Sequence, residues 1–194
     1  MVFKVVTLLA MAIFYGCYFA KMISQKKQGI QTDQLGKDKT GFVKFIEVSL
    51  KIGSYVVPIA ELVSIFLGTT ALPEVIRYIG LALSLFAAAI FVVAVLEMKE
   101  NWRAGVSEKE KTELVTTGIY RISRNPAFLG FDLMYIGICL TFFNTPLAVL
   151  SIVTIILFHL QIVNVEEDFL IAAFGEEYLN YKTKVCRYLG RKIG

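Results

Sequence analysis

The sequence has little that could hold a metal or a disulfide framework: three cysteines and one histidine among 194 residues. Cys17, Cys139 and Cys186 are odd in number and widely spaced. A structural zinc site needs four close ligands, and a disulfide framework needs paired cysteines. We therefore predict no metal site and interpret the cysteines as packing residues.

Common catalytic signatures are also missing. The chain contains no G-x-G-x-x-G, no Walker loop, no H-E-x-x-H and no G-x-S-x-G. These absences remove the usual signals for dinucleotide binding, P-loop chemistry, zinc proteases and α/β-hydrolases. The chain also lacks repeats and low-complexity tracts, so we predict a single domain over residues 1–194.

Apolar residues are abundant instead, at 56% of the chain against about 45–50% in a typical soluble domain. A helix of about 20 apolar residues crosses a bilayer. The composition predicts an all-α, polytopic membrane protein with five transmembrane helices. The apolar runs cover roughly residues 2–20, 45–68, 75–96, 127–143 and 146–164.

The first two apolar runs have features that are unusual for a transmembrane helix. The run after Lys4 also has the charged start of a signal peptide, but no small-residue cleavage pattern follows, so a span is favoured. The second run contains Glu47, Lys51, Pro58 and Glu61. Charged groups in a span avoid lipid, so we expect this helix to pack against protein.

Basic residues predict the orientation. Lysines and arginines concentrate in residues 21–41, 97–126 and 182–192, whereas the connections at 69–74 and 144–146 have none. The positive-inside rule then places the N-terminus outside and the C-terminus and active site in the cytoplasm. Anionic membrane lipids account for the net charge of +4, so no nucleic-acid partner is expected and no obligate protein partner is evident.

Local signals predict further helices. Ser107 and Glu110 form a capping box for a short polar helix in the long connection. The turn at residues 144–146 predicts that the last two spans form a helical hairpin. After the fifth span, one apolar face of a continuing cytoplasmic helix favours either a membrane-surface helix or a lid over a site. That face comprises Leu170, Phe174, Tyr178, Tyr181 and Val185.

The start of the fourth span combines capping and charge. Asn125 and Pro126 suit the N-cap and first turn of a helix. The same helix N-terminus, beside Arg121 and Arg124, also suits an anion such as a carboxylate. Both interpretations remain open from the residues alone.

Polar residues within the spans are further candidates. Asp132 is either functional or paired with Lys51 or Arg77. His159 and Glu166 are seven residues apart, which places them on one helix face, although a lone histidine is more often a packing residue. A carboxylate at the end of this span is expected to pair with Arg124.

Two blocks in order carry a family resemblance: LVTTGIYRISRNPAFLG at 114–130 and EEDFLIAAFGEEYLNYKTKVCRY at 166–188. They resemble the isoprenylcysteine carboxyl methyltransferase family and the related phospholipid N-methyltransferases. The resemblance implies S-adenosylmethionine as methyl donor, with S-adenosylhomocysteine as product, in a cofactor-binding half at about residues 97–194. It also implies a lipophilic acceptor that enters from the bilayer.

The resemblance carries roles to matching positions. Arg124 and Glu167 correspond to the catalytic pair. His159 and Asn164, from the polar rows of the fifth span, join the predicted cofactor site. The remaining predicted cofactor-binding residues, most of them within the motifs, are Tyr120, Arg121, Asn125, Pro126, Gly130, Glu166, Tyr178 and Tyr181.

Two motif positions differ from the family pattern, since Asn125 replaces its histidine and Phe128 its tyrosine. The predicted reaction is methylation of a lipophilic acceptor, foremost the carboxylate of an isoprenylcysteine-like molecule. An amine-lipid N-methyltransferase is the alternative. A membrane reductase or a transporter using Lys51, Glu61 and Asp132 represents the other function classes.

Overall fold

Helices make up the architecture of the computed structural model, which describes residues 1–37, 39–68, 70–106 and 113–192. Within these ranges there is no strand, and only two isolated bridges occur. The predicted all-α class is confirmed. The capping box at Ser107 and Glu110 lies outside the described residues. The helices are α1 (Val2–Lys27), α2 (Gly41–Leu67), α3 (Glu74–Met98), α4 (Pro126–Thr141), α5 (Thr145–Gln161) and α6 (Glu167–Lys184).

Four helical stretches in the described part of the chain are long and apolar enough to cross a membrane: α1, α2, α3 and the stretch that begins with α5. The fourth predicted span is α4, an apolar helix of 16 residues and therefore shorter. The chain is thus a multi-pass membrane protein. The count of five spans stays a prediction.

Small residues allow α3 and α4 to pack closely. A Cβ on Gly80 would lie 2.5 Å from the carbonyl oxygen of Gly137, and one on Gly137 would lie 2.5 Å from Ser84 Oγ. Such contacts are typical of helix pairs in membranes, where backbone approach replaces the hydrophobic effect as a source of association. The α3–α4 pair is the most extensive helix contact of the fold.

The second helix packs against α5 and buries its acids, as expected. Glu47 and Glu61 are fully buried. Gln161 at the end of α5 donates to Glu47 Oε1 at 3.2 Å. The short turn between α4 and α5 was predicted, and Asn144 caps α5 by accepting from Leu147 N at 3.0 Å. Since α4 packs mainly on α3 and α5 mainly on α2, the hairpin joins two helix pairs.

Loops gather at one end of the helices. Gln25 at the end of α1 donates to the Trp102 carbonyl at 2.8 Å. The backbone of Ala104 pairs with Thr32 and Gln34, each bond being 2.9 Å long. At the opposite end, Lys4 donates to the Phe66 carbonyl. The basic segments therefore share one end, while the side of the membrane on which they lie stays a prediction.

A π-helix, Ile162–Glu166, joins α5 to α6. The predicted continuous tail helix is wrong at Gly175, where φ is 49° and ψ is −124°. A residue other than glycine would be strained in this conformation. The break divides α6 into two segments of different direction.

Candidate functional site

A buried cluster of ions lies where α4, α6 and the C-terminal residues meet. Glu167 is only 4% exposed and accepts contacts from three cations. Its Oε1 lies 3.0 Å from Arg124 Nη2 and 2.7 Å from Arg187 Nε, and its Oε2 lies 2.7 Å from Lys182 Nζ. The carboxylate of Glu167 thus contacts three positively charged side chains, so the cluster has a net positive charge.

The break at Gly175 explains how Lys182 reaches Glu167. Fifteen residues of straight α-helix span about 22 Å, far beyond a lysine's reach. Because the chain changes direction at Gly175, the second segment of α6 returns toward the first, and Lys182 contacts Glu167. The glycine of the tail motif therefore has a geometric role in assembling the cluster.

The C-terminal residues hold the start of α4 in place. The backbone N–H of Arg124 donates to the Cys186 carbonyl at 3.1 Å, and its Nε donates to the Val185 carbonyl at 3.2 Å. Asn125 occupies the N-cap position, but its side chain does not cap the helix. It donates instead to the Arg187 carbonyl at 3.2 Å. The predicted capping role is therefore corrected to a bond between the two motifs.

The ion cluster keeps Glu167 ionised. Burial by itself would raise the pKa of this carboxyl, but hydrogen bonds from Arg187 and Lys182 and the charge of Arg124 outweigh it and lower the pKa to about 2. The predicted pairing of Arg124 with a carboxylate at the end of the fifth span is confirmed.

A cavity of about 710 Å³, part of it open to solvent, lies beside the cluster. Charged, polar and apolar side chains line it, and it is called the polar cavity below because charged groups of the site face it. Arg124 and Glu166 line it with the buried rings of Tyr120, Tyr178 and Tyr181. The Tyr178 hydroxyl accepts from Arg124 Nη1 at 2.6 Å. Leu170 and Phe174 from α6 line the same cavity, so the apolar face of this helix packs against it, and the predicted role as a lid stays a prediction.

A larger, mainly apolar cavity of about 1270 Å³, part of it also open to solvent, lies between α1, α2 and α4. Phe128 and Phe131 of α4 line it, with Phe158 of α5. Its rim includes Phe19 and Ile59, which are 46% and 62% exposed on the outer surface of the bundle. The cavity thus reaches the surface that α1 and α2 present to lipid.

Not every predicted cofactor residue lies at the polar cavity. Arg121 is exposed on the short helix Gly118–Arg121, and Asn164 donates to the Leu160 carbonyl. Pro126 is the first residue of α4. Gly130 packs on α3, where a Cβ would lie 3.1 Å from Phe91 Cβ. Neither these four nor Asn125 are among the described lining residues. The cofactor roles of all the predicted residues stay predictions.

His159 and Glu166 have separate partners. His159 Nδ1 lies 2.8 Å from the Tyr188 hydroxyl, and Glu166 accepts from Gln161 at 3.4 Å. The π-helix lies between them and has more residues per turn than an α-helix, so seven residues no longer make two turns. His159 lies outside the described lining of the polar cavity, and its predicted cofactor role also stays untested.

One of the two alternatives for Asp132, an ion pair with Lys51 or Arg77, is wrong. Lys51 pairs with Asp33 at 2.5 Å, and Arg77 Nε donates to the Thr141 carbonyl at 3.1 Å. Asp132 is 7% exposed, and its Oδ1 has no hydrogen-bond partner among the described residues.

Sequence reasoning did not single out Lys182, Arg187 or Arg103, which the structure places at the site. No local spacing relates Lys182 or Arg187 to Glu167, because their proximity depends on the break at Gly175. The glycine in the tail motif was the one available signal.

Membrane-crossing helices, a buried ion cluster and two adjoining cavities define a multi-pass membrane protein with a charged site at one end of its bundle. The family model described as "Phospholipid methyltransferase" matches residues 75–177, more than half of the chain. The chain belongs to this family.

Curated relatives agree with the resemblance found in the motifs. Protein-S-isoprenylcysteine O-methyltransferase of Saccharomyces cerevisiae is 42% identical over 72 residues, 37% of this chain and 30% of the relative. Its Rattus norvegicus counterpart is 35% identical over 121 residues, 59% of this chain and 43% of the relative. Protein-S-isoprenylcysteine O-methyltransferase A of Arabidopsis thaliana is 35% identical over 81 residues, 42% of this chain and 41% of the relative. The chain thus spans less than half the length of each.

Proposed function

We propose that this protein is an integral membrane methyltransferase that uses S-adenosylmethionine to methylate the carboxylate of an isoprenylcysteine-like acceptor. The observation that carries the proposal is the ion cluster of Arg124 and Glu167 beside a polar cavity that adjoins an apolar one. The family and the printed names of the relatives support the reaction class.

The polar cavity suits S-adenosylmethionine by its chemistry. This molecule combines an aromatic base with a carboxylate, an ammonium and a sulfonium. The cavity offers the rings of Tyr120 and Phe174, the carboxylate of Glu166 and the guanidinium of Arg124. Arg124 would bind the amino-acid carboxylate of the cofactor, and Glu166 would bind a positively charged group of the cofactor. When bound, the cofactor supplies a methyl group activated by its positively charged sulfur.

The protein's own contribution is positioning. A carboxylate acceptor is nucleophilic at neutral pH without a base, so alignment and exclusion of water are the main requirements. Glu167 holds the guanidinium of Arg124 in one orientation through a buried contact. Leu170 and Phe174 of α6 line the cavity with apolar surface.

The apolar cavity suits the prenyl chain. It is lined by aromatic and aliphatic side chains and reaches the lipid-facing surface at Phe19 and Ile59. An acceptor dissolved in the bilayer would therefore enter sideways, with its polar end toward the polar cavity. This arrangement favours a lipophilic acceptor over a soluble one.

Calorimetric titration of the detergent-purified protein with S-adenosylmethionine tests the proposal. We expect saturable binding that weakens at least tenfold in Glu167→Gln, because Arg124 loses the charge that orients it. Asp168→Asn removes an exposed carboxylate from the next position and should bind like wild type. Transfer of labelled methyl to a prenylcysteine acid then tests the acceptor. Absence of cofactor binding in folded protein would overturn the proposal.

A further inference from the structure

The side chain of Gln161 joins two carboxylates at the end of α5. Gln161 is fully buried, and its Nε2 donates to Glu47 Oε1 at 3.2 Å and to Glu166 Oε1 at 3.4 Å. Carboxylates therefore accept both hydrogens of the amide. Glu166 lines the polar cavity, whereas Glu47 and Gln161 line neither cavity.

The π-helix Ile162–Glu166 brings Gln161 and Glu166 together. Residues five apart point about 140° away from each other around a straight α-helix, so their side chains would not meet. The hydrogen bonds of a π-helix join residues five apart, which places such residues on one face. The bond from the Glu167 N–H to the Ile162 carbonyl has this spacing. The π-helix thus aligns the Gln161 amide with the Glu166 carboxylate.

Glu166 depends on this one bond for its orientation. It makes no other hydrogen bond or ion pair with the described residues. The neighbouring Glu167 differs, since three cations contact it. A carboxylate with one hydrogen bond keeps an oxygen for a ligand, but any rotational freedom that it keeps must be lost on binding. The bond from Gln161 reduces that freedom.

Glu47 holds the amide from the other side. Glu47 is fully buried, and its Oε2 accepts from the Gly36 N–H at 2.7 Å, so both of its carboxylate oxygens are used. It has no ion pair among the described residues. A buried carboxylate without a cation is costly, and such a group in a membrane helix is a functional candidate by default.

The loop that contacts Glu47 is itself held in place. Gly36 has a φ of +77°, a conformation that favours glycine. Its neighbour Leu35 lines the apolar cavity and packs against Gly105, which lines both cavities. In the same loop, Asp33 pairs with Lys51 of α2. Glu47 is therefore anchored to a fixed backbone and gives Gln161 a rigid partner.

We propose that Gln161, held by Glu47, is a positioning residue that directs the Glu166 carboxylate toward the ammonium of the methyl donor. The inference rests on the proposed function, and it adds two residues that lie outside both sequence motifs. An anion that is oriented before binding loses less entropy when the ligand arrives and binds it more tightly.

The test compares two probes that differ only in the ammonium: S-adenosylhomocysteine and its deaminated analogue, which has hydrogen in that place. Their affinities are measured by calorimetry on the full-length, detergent-purified protein. We expect wild type to bind S-adenosylhomocysteine about 10- to 100-fold more tightly than the analogue, as a hydrogen bond between charged groups predicts. Glu166→Gln should lower this ratio the most, because it removes the carboxylate itself.

Two variants then test the positioning residues. Gln161→Met keeps an unbranched side chain of similar size but removes both donors, and it should lower the ratio roughly 3- to 10-fold, the contribution of one hydrogen bond. Glu47→Gln keeps the shape and one acceptor, so it should lower the ratio by a smaller factor. If Gln161→Met fails to fold, Gln161→Asn replaces it. Its amide is one carbon shorter and should also lower the ratio.

Thr154→Val is the matched control. Thr154 is buried on the same helix, donates to the Leu150 carbonyl at 2.9 Å and lines neither cavity. Valine fills the same space without the hydroxyl, so this variant should keep the wild-type ratio. The ratio separates the orientation of Glu166 from a merely structural role, because both probes report on the same folded molecules.

The outcomes distinguish the two proposals. Failure of wild type to bind S-adenosylhomocysteine would overturn the proposed function itself. Binding of S-adenosylhomocysteine together with an unchanged ratio in the Gln161 variant or in Glu47→Gln would overturn only the positioning role. A wild-type ratio near one, or an equal fall of the ratio in Thr154→Val, would also overturn that role.

Discussion

Glu167 and Glu61 are both buried glutamates, yet their surroundings are opposite. Glu167 contacts Arg124, Lys182 and Arg187 at the end of the bundle. Glu61, inside α2, receives one hydrogen bond, from the Tyr15 hydroxyl at 3.3 Å, and its Oε1 has no partner among the described residues. A buried carboxylate with cations organises its neighbours, whereas one without them is an isolated polar group.

Replacing Glu167 should have the largest effect. Glu167→Gln leaves three cations close together without their counter-ion, and breaking a buried ion cluster in this way destabilises by about 3–5 kcal/mol. We expect a clearly lower thermal unfolding midpoint in detergent as well as weaker cofactor binding. Asp168→Asn serves as control. A midpoint equal to that of wild type would show that the cluster does not stabilise the fold.

Acidification should weaken the same cluster. The pKa of Glu167 is about 2 in the fold and about 4.3 in an unfolded chain, so ionisation of this group favours the folded state. Its contribution is complete above about pH 4.3 and is lost as the pH falls toward 2. Unfolding midpoints between pH 6 and pH 3 should fall more steeply for wild type than for Glu167→Gln. Parallel profiles would contradict the low pKa.

Removing one of the three cations should matter less. Arg187→Gln takes away the 2.7 Å contact to Glu167 Oε1, but Arg124 and Lys182 still pair with the carboxylate. Because the Arg187 side chain is 31% exposed, solvent screens its contact, and we expect a loss of about 1 kcal/mol. The exposed Arg191→Gln is the control. A loss equal to that of Glu167→Gln would show that the cluster depends on this one contact.

Neutralising Glu61 should have the smallest effect and the opposite sign. Glu61→Gln keeps the size of the side chain and an acceptor for Tyr15, and it removes no ion pair among the described residues. We expect stability to be unchanged or raised by up to about 1 kcal/mol. Tyr15→Phe, measured alongside, isolates the hydrogen bond. A decrease of several kcal/mol in the unfolding free energy of Glu61→Gln would show that Glu61, like Glu167, stabilises the fold.

Sequence reasoning predicted the features that depend on local pattern. The five apolar runs predicted the helices α1 to α5. The predicted turn at residues 144–146 lies within two residues of the observed start of α5. The motif blocks predicted Arg124 and Glu167 as partners, and the structure confirms the contact. The helices and the turn were predictable because hydrophobic periodicity and turn residues act over short distances along the chain. The contact between Arg124 and Glu167 joins distant residues, and it was predicted from the family resemblance and from the hairpin between the last two spans.

Other expectations failed where the register of a helix changes. Seven-residue spacing predicted that His159 and Glu166 share one helix face, but the π-helix at Ile162–Glu166 changes the helical register between them, and they have different hydrogen-bond partners. The tail was predicted as one helix, and it breaks at Gly175. An ion pair with Lys51 or Arg77 was one of two alternatives for Asp132, and both cations have other partners. Each of these outcomes depends on a change of direction or on packing from distant segments.

The sequence by itself determined the apolar helices, the grouping of basic segments and the pair of motifs, because these follow directly from composition and residue spacing. Only the tertiary structure decided which cations surround Glu167 and where the two cavities adjoin. The physical reason is that both depend on residues far apart in the chain. The break at Gly175 and the pairing of the loops at Thr32 and Ala104 bring these residues into place.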